Sequence, residues 1–362
     1  MFKPTFQMTS AMAAALTSIE ADRRAVADLP IDVTVLTSLR ATARLLSTHY
    51  STQIEGNRLT EAQVQQTLSG GRFPGRERDE AEVRNYYAAL ELVETMVDSR
   101  ASIIQNNIQK LHGLVFEGRS APTSYRDGQN VIRDGGTGAI VYLPPESKEV
   151  PQLMEDLLGW IPEQIALGAL PIPIIAAVAH YQFATIHPFY DGNGRTARLL
   201  TTLILQMQGY GLKGIYSLEE YYARDLQKYY NALSVGPSHN YYGGREVADI
   251  TSFLEYFLVG MADAFAKVRV KAGSAATRGA VDESKTLRDL DPTRRQVLGL
   301  FRRQGSATTA EIARELGLSS RTVRPLCGRW IATGFVVVED TSRRNRLYRL
   351  APEWESLVVG ER

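Results

Sequence analysis

The sequence predicts a mainly α-helical protein with one short β-hairpin and a small C-terminal module of mixed α and β character. Three observations carry that expectation. Apolar residues recur every three or four positions over most of the first 270 residues, β-type runs appear only between Arg119 and Pro145 in that span, and positive charge gathers near the C-terminus. Residues 291–350 contain 12 arginines against five acids, although the whole chain of 362 residues carries a net charge of only +1. Charge divided this unevenly marks modules with different partners.

The elements follow in order. In "VLTSLRATARLLSTHYSTQIEGN", Val35, Leu36, Leu39, Ala43, Leu46 and Tyr50 build one apolar stripe, and Gly56 ends the helix as its C′ residue. "ERDEAEVRNYYAALELVETMV" opens with acids that suit a helix N-terminus, and "SIIQNNIQKLHGLVF" supplies a third helix. The stretch "VIRDGGTGAIVYLPP" places short β-type runs, Val131 to Ile132 and Ala139 to Leu143, around a glycine-rich turn, which predicts a hairpin or flap. Helices resume at Val150. "IPIIAAVAHYQFATI" and "RTARLLTTLILQMQGYG" bracket a short loop, a tyrosine-rich segment follows, and a last long helix is expected over Val247–Lys271. "KAGSAATRGAVDESK" is small and polar and reads as a linker. The expected domains are an N-terminal helical region over 1–100, a core over 101–270, a linker over 271–290 and a C-terminal domain over 291–352.

Two classes are excluded on composition. The longest charge-free stretch, Gln164–Tyr190, is interrupted by Pro171, Pro173, His180 and His187, so it is a core helix and no membrane partner is expected. The single cysteine, Cys327, cannot form an internal disulfide, and the N-terminus has no small-residue cleavage site after an apolar run; both suit a cytoplasmic protein.

The densest chemistry lies in "HPFYDGNGRTAR", His187 to Arg198. Asp-Gly and Asn-Gly are hairpin signals, but both flanks have helical period, so the geometry is helix, tight loop, helix. Gly192 and Gly194 permit close backbone approach, and the N–H groups of Gly192 to Arg195 can converge on an anion where the second helix begins. Arg195 and Arg198 stand three apart and share a helical face, which suits a polyphosphate. Asp191 is placed to hold Mg²⁺ between phosphate oxygens, and His187 can accept a proton near neutral pH.

These residues resemble the signature of the Fic family, H-x-F-x-[D/E]-G-N-G-R-x-x-R, at every constrained position: His187, Phe189, Asp191, Gly192, Asn193, Gly194, Arg195 and Arg198. The looser similarity runs from about Leu45 to about Phe257. The resemblance implies a Fic-type helical bundle with a β-hairpin flap, and transfer of AMP from ATP to a Tyr, Ser or Thr hydroxyl of a target protein with release of pyrophosphate. His187 would be the general base, Asp191 the Mg²⁺ ligand, Phe189 the anchor of the loop, and Gly192, Asn193 and Gly194 the anion hole for the α- and β-phosphates. Arg195 and Arg198 would hold the β- and γ-phosphates. The flap would align the target by strand addition, and Tyr229 and Tyr230 lie where relatives line the adenine pocket. A family branch that phosphorylates its targets typically has lysine in place of the second glycine, and Gly194 argues for nucleotidyl transfer.

"STQIEGN" is similar to the family's inhibitory motif, [S/T]-x-x-x-E-[G/N], through Ser51, Glu55 and Gly56. A carboxylate is unfavourable at a helix C-terminus, so Glu55 calls for a tertiary partner, and the resemblance names Arg198. The C-terminal stretch "TTAEIARELGLSSRTVRPLCGRWIATGFVVVED" reads as helix, turn, helix, capped at Thr308 or Thr309, and the β-type runs Phe335–Glu339 and Arg346–Leu350 make a wing. It resembles a winged helix-turn-helix. Arg321, Thr322 and Arg324 would face a major groove of double-stranded DNA, and Arg343, Arg344 and Arg346 its phosphates, unless the module docks protein instead. Two functions result: an autoinhibited protein adenylyltransferase, or a DNA-binding transcriptional regulator whose Fic domain senses ATP. The intact His187 favours the enzyme; homodimerisation stays open.

Overall fold

The computed structural model describes residues 2–133, 138–280, 290–340, 346–352 and 354–355, which fall into two compact units. One comprises Met1–Pro30 and Leu39–Gly273, the other Ile31–Ser38 and Ser274–Arg362.

The first unit is a helical bundle. Its elements are α1 (Ser10–Ala27), all of α2 (Val33–Ile54) from Leu39 on, α3 (Glu61–Leu68), α4 (Glu77–Asp98), α5 (Gln105–Glu117), the antiparallel pair β1 (Ile132–Arg133) and β2 (Ile140–Tyr142), α6 (Val150–Leu167), α7 (Ile172–Ile186), α8 (Asn193–Met207), the short α9 (Glu219–Arg224) and α10 (Leu226–Leu233), and α11 (Thr251–Ala280) as far as Gly273. Helix α7 is its axis. Residues Pro173 to Phe183 are all buried, as expected of a helix apolar on every side, and α6 and α8 pack against it. Helices α4 and α5 cover α8 in turn.

Three expectations need correction. The last long helix begins at Thr251, whose N–H is accepted by Asp249 at 2.9 Å, and not at Val247, which is exposed. It also continues through residues 271–280, part of the expected linker: the small residues there include four alanines, and alanine is the strongest helix former. Residues 281–289 of that linker lie outside the described residues. In α2 the expected apolar stripe is not the most buried face, because Leu46 and Tyr50 are half-buried whereas Ser47, Thr48, His49, Ser51 and Thr52 are buried. The second half of this helix therefore faces a polar interior.

The second unit contains α12 (Pro292–Gln304), β3 (Ser306–Thr308), α13 (Thr309–Leu316), α14 (Ser320–Ala332), β4 (Val336–Asp340) and β5 (Leu347–Leu350), with strand order β3–β5–β4, all antiparallel. Thr308 forms a capping box with Glu311, Gly317 ends α13 in the left-handed region, and Ser319 caps α14. Helix α14 runs on through Pro325. Phe301, Ile312, Val323, Trp330 and Phe335 meet in one core. Arg321, Thr322 and Arg324 are exposed on α14, although the Thr322 hydroxyl is engaged with Ser319 in the cap. Arg346 is exposed at the start of the wing's second strand, while Arg343 and Arg344 lie outside the described residues.

Candidate active site

The loop between α7 and α8 owes its shape to four side chains. His187 ends α7 in the left-handed region, with φ +52°, a conformation uncommon for a residue with a Cβ. Phe189 is buried, and its ring stacks on His112 of α5 with centroids 3.6 Å apart. The Asn193 side chain closes the loop from inside, accepting the Phe189 N–H at 2.9 Å and donating to the Phe189 carbonyl at 2.8 Å. One N–H and the oxygen of that amide are therefore engaged inside the loop, and the backbone of Asn193 begins α8. His112 Nε2 donates to the Asp191 carbonyl at 2.9 Å, and its Nδ1 accepts from Thr123 at 2.6 Å. Gly192 has φ +76°, and a Cβ there would meet the His112 ring at 3.2 Å, so conformation and space both require glycine.

Above this loop the first turn of α8 presents its amides, with the Gly192 N–H donating to Asp191 Oδ1 at 2.6 Å. Arg195 is buried, with one nitrogen 3.5 Å from Asp191 Oδ1 and an Nε that has no hydrogen-bond partner. Arg198, only 2% exposed, donates from Nε to the Ser51 hydroxyl at 2.8 Å and from Nη2 to the Ser51 carbonyl at 2.9 Å and to Glu55 Oε1 at 2.8 Å. Burial disfavours its charge, but the Glu55 carboxylate outweighs that and holds the guanidinium well above its ordinary pKa. A Cβ on Gly194 would stand 2.3 Å from Glu55 Oε1, so the carboxylate lies directly on the cradle.

Helix α2 is seated by further bonds. One turn before Ser51, Ser47 donates to the buried Glu219 at 3.0 Å, and Glu219 also accepts from Tyr86 at 3.2 Å and Ser217 at 2.9 Å. Beyond Glu55, Gly56 turns the chain with φ +92°, and Asn57 donates to the Asp79 carbonyl at 2.9 Å and to Glu82 at 3.1 Å on α4.

His187 is half-buried. Its Nδ1 faces the Ala184 carbonyl at 3.4 Å, a long contact that places the proton there and leaves the Nε2 lone pair free. Burial, aided by the Arg126 charge and opposed by Glu55 and Asp191, lowers its pKa to about 4. Asp191 is half-exposed at the mouth. Tyr229 does not fit the adenine role: it is buried, and its hydroxyl meets His180 Nε2 at 2.9 Å inside a cluster with Tyr222 and Tyr256. A tyrosine pair at helical spacing sends one ring to the core. Tyr230 is 43% exposed and donates to the Ile54 carbonyl at 3.2 Å, beside the end of α2.

Sequence reading missed two residues. His112 was visible only as a histidine in the apolar stripe of α5. Arg126, in "SYRDGQN", had no local signal. It is buried and donates to the carbonyl of His187 at 2.9 Å.

The model of the Fic/DOC family matches residues 102–205, spanning this loop and both its helices. The chain carries a Fic/DOC-family domain. A second family model, described as winged helix-turn-helix DNA-binding, matches residues 290–324, so the Fic domain is followed by a winged helix. The chain is similar to the protein adenylyltransferase fic-1 of Caenorhabditis elegans, 32% identical over 196 residues, which is 52% of this chain and 37% of that protein. It is also similar to the protein adenylyltransferase Fic of Drosophila willistoni, 28% identical over 54% of this chain and 38% of that one. The chain thus spans well under half the length of these relatives. In fold it resembles the crystal structure of a Fic family protein from Desulfovibrio desulfuricans G20, with a TM-score of 0.65 at 24% identity over 97% of this chain and 99% of that chain.

Burial lowers His112, His180 and His187 to pKa values of about 4, 3 and 4, below the ordinary 6.5. As pH falls from 6.5, the unfolded chain binds these protons first, so the stability present above 6.5 is lost progressively toward pH 4. The buried His112 and His180 each weigh up to about 1.4 kcal/mol per pH unit, and the half-buried His187 less. The melting temperature should fall steadily between pH 6.5 and 4.5 in a thermal-denaturation series. A flat profile over that window contradicts the neutral, buried state of these rings.

Proposed function

We propose that this chain is an autoinhibited protein adenylyltransferase that transfers AMP from ATP to a protein hydroxyl. The observation that carries the reading is the Glu55–Arg198 pair at 2.8 Å, an acid occupying the cation that an ATP phosphate would need, beside a loop that also presents a free imidazole nitrogen. ATP as the nucleotide is supported by the Fic-domain match and by relatives named adenylyltransferases. A cytoplasmic setting is part of the proposal, supported by the single buried cysteine and, among the described residues, the lack of any helix long and apolar enough to cross a membrane.

In this reading, His187 Nε2 takes the proton of the target hydroxyl as its oxygen bonds to the α-phosphorus, the bond to the bridging α–β oxygen breaks, and pyrophosphate leaves. The α8 amides and the Arg195 and Arg198 guanidiniums align the phosphates and balance their charge; such transfers need little else from the protein. Mg²⁺ fits the donor set, because it commonly takes one or two carboxylates together with substrate oxygens, and Asp191 offers one half-exposed carboxylate. When bound it would neutralise phosphate charge. The flap strand β2 exposes Ile140 and Val141 as an edge on which an extended target segment can lie. With Glu55 on Arg198, ATP can bind only in a displaced pose, its α-phosphate out of line with the hydroxyl.

Glu55→Gly should therefore raise self-labelling by radiolabelled ATP at least severalfold, within the roughly 5- to 150-fold range of coupling energies of about 1–3 kcal/mol. Adding His187→Ala should remove about 10²- to 10⁴-fold of that rate while ATP still binds. A folded Glu55→Gly protein that binds ATP and labels no faster than the parent contradicts the brake, and full labelling with alanine at 187 contradicts the base.

The winged helix is proposed to bind duplex DNA through α14, supported by its exposed Arg321 and Arg324 and the arginine excess around them. Affinity should fall with salt at a log–log slope of about −0.9 per phosphate neutralised, and Arg321→Ala with Arg324→Ala should weaken binding to the preferred sequence. A salt-independent association, or none, points to protein docking instead.

A further inference from the structure

We propose that Arg126 is a positioning residue that locks both legs of the flap to the backbone of His187. It lies in the loop before β1, is only 2% exposed, and spends its guanidinium on backbone carbonyls. Nε donates to His187 at 2.9 Å, Nη1 to Gly128 at 3.2 Å, and Nη2 to Pro145 at 2.6 Å with a longer contact to Ile186 at 3.5 Å. Its own N–H donates to the Pro188 carbonyl at 2.9 Å. Gly128 precedes β1 and Pro145 follows β2, so one side chain holds the entry of the flap, its exit and the turn that carries the imidazole.

The chemistry of the group explains why arginine stands there. Only the planar fork of a guanidinium can direct several N–H bonds to carbonyls in fixed directions; an ammonium is a point charge without that geometry. Burying a cation is costly and lowers the pKa of Arg126, and the ionisable groups that face it are the neutral hydroxyls of Tyr142, Tyr190 and Tyr242, with no carboxylate among them. A residue needed only to fill space would be apolar. What the bonds secure is a turn that resists its own conformation: His187 is held at φ +52°, and its carbonyl and that of Pro188 are both taken by Arg126. Tyr190 adds a parallel tie on the first leg alone, donating to Asp127 at 2.7 Å and accepting the Gly128 N–H at 2.8 Å. Tyr142 adds one at the second strand, donating to the Thr185 carbonyl at 2.7 Å. Arg126 joins these two ties. A target strand laid on the flap thereby reaches the imidazole in a fixed register, while the nucleotide phosphates are held by a different element, α8.

The inference rests on the enzyme reading only where it concerns transfer, so the test has two arms on the full chain. In the first, hydrogen exchange is compared between the parent, Arg126→Lys and Arg126→Met. Amides of residues 127–131, 142–143, 186–187 and 189–191 should exchange severalfold faster in both variants, with α8 unchanged. In the second, Arg126→Lys in the Glu55→Gly background should lower kcat by about 10²-fold, the usual consequence of a small misplacement, with KM for ATP nearly unchanged. Methylguanidinium should restore part of the rate to Arg126→Ala and none to the lysine variant. Unchanged exchange in the flap and loop overturns the proposal. So does a fall in kcat matched by an equal loss of ATP affinity and of melting temperature. A Glu55→Gly parent that transfers nothing counts against the enzyme reading alone, since the exchange arm still decides the role of Arg126.

Discussion

The site is organised around a guanidinium that is out of water and needs an anion. Arg198 projects from the first turns of α8 into a polar interior where Ser51 supplies two acceptors and Glu55 the balancing charge. A buried cation stripped of its partner is expensive, so something negative has to stand there. In this structure it is a carboxylate at the end of α2, with an oxygen 2.3 Å from where a Gly194 side chain would begin. The seat of α2, the lack of a side chain at residue 194 and the orientation of α8 all follow from that pairing. The unusual polar face of α2 has the same origin: a helix packed against Arg198 and Glu219 buries hydroxyls where a core helix would bury leucines.

The same constraint makes a reversible brake physically reasonable. In the proposed reading an internal carboxylate and a nucleotide phosphate would compete for one cation, and either would satisfy it. Exchanging them leaves no uncompensated charge behind, so release of α2 need not unfold its surroundings. His187 is held independently of that exchange, by the loop closed through Asn193, His112 and Arg126. Its depressed pKa keeps the ring neutral, as the proposed role of base would require.

Much of this was legible in the chain itself. The helix–loop–helix reading of "HPFYDGNGRTAR" came from flanking periodicity and two glycines, and its elements are α7 and α8. The capping residue Thr308 and the left-handed Gly317 of the winged helix were equally local signals. The misses have separate causes. The resemblance gave Asn193 to the anion hole without saying that its side chain also closes the loop on Phe189, four residues away. His112 and Arg126 act across separations of 79 and 61 residues, and no periodicity reports contacts that distant. Tyr229 and Tyr230 differ by one position and so point about 100° apart on a helix, which sends one ring to His180 and leaves the other at the surface. The end of α11 was misjudged because small residues look like a linker, although alanine favours helix.

The central claim is that Glu55 and the outer phosphates of the nucleotide compete for Arg198. Calorimetric titration of ATP and of AMP into the parent and into Glu55→Gln tests it directly, because AMP lacks the phosphates that would reach this arginine. The account predicts that the substitution tightens ATP binding by roughly 5- to 150-fold, the span of typical coupling energies, and leaves AMP nearly unchanged. Equal changes for both nucleotides, or none for ATP, would show that the carboxylate and the phosphates do not share the site.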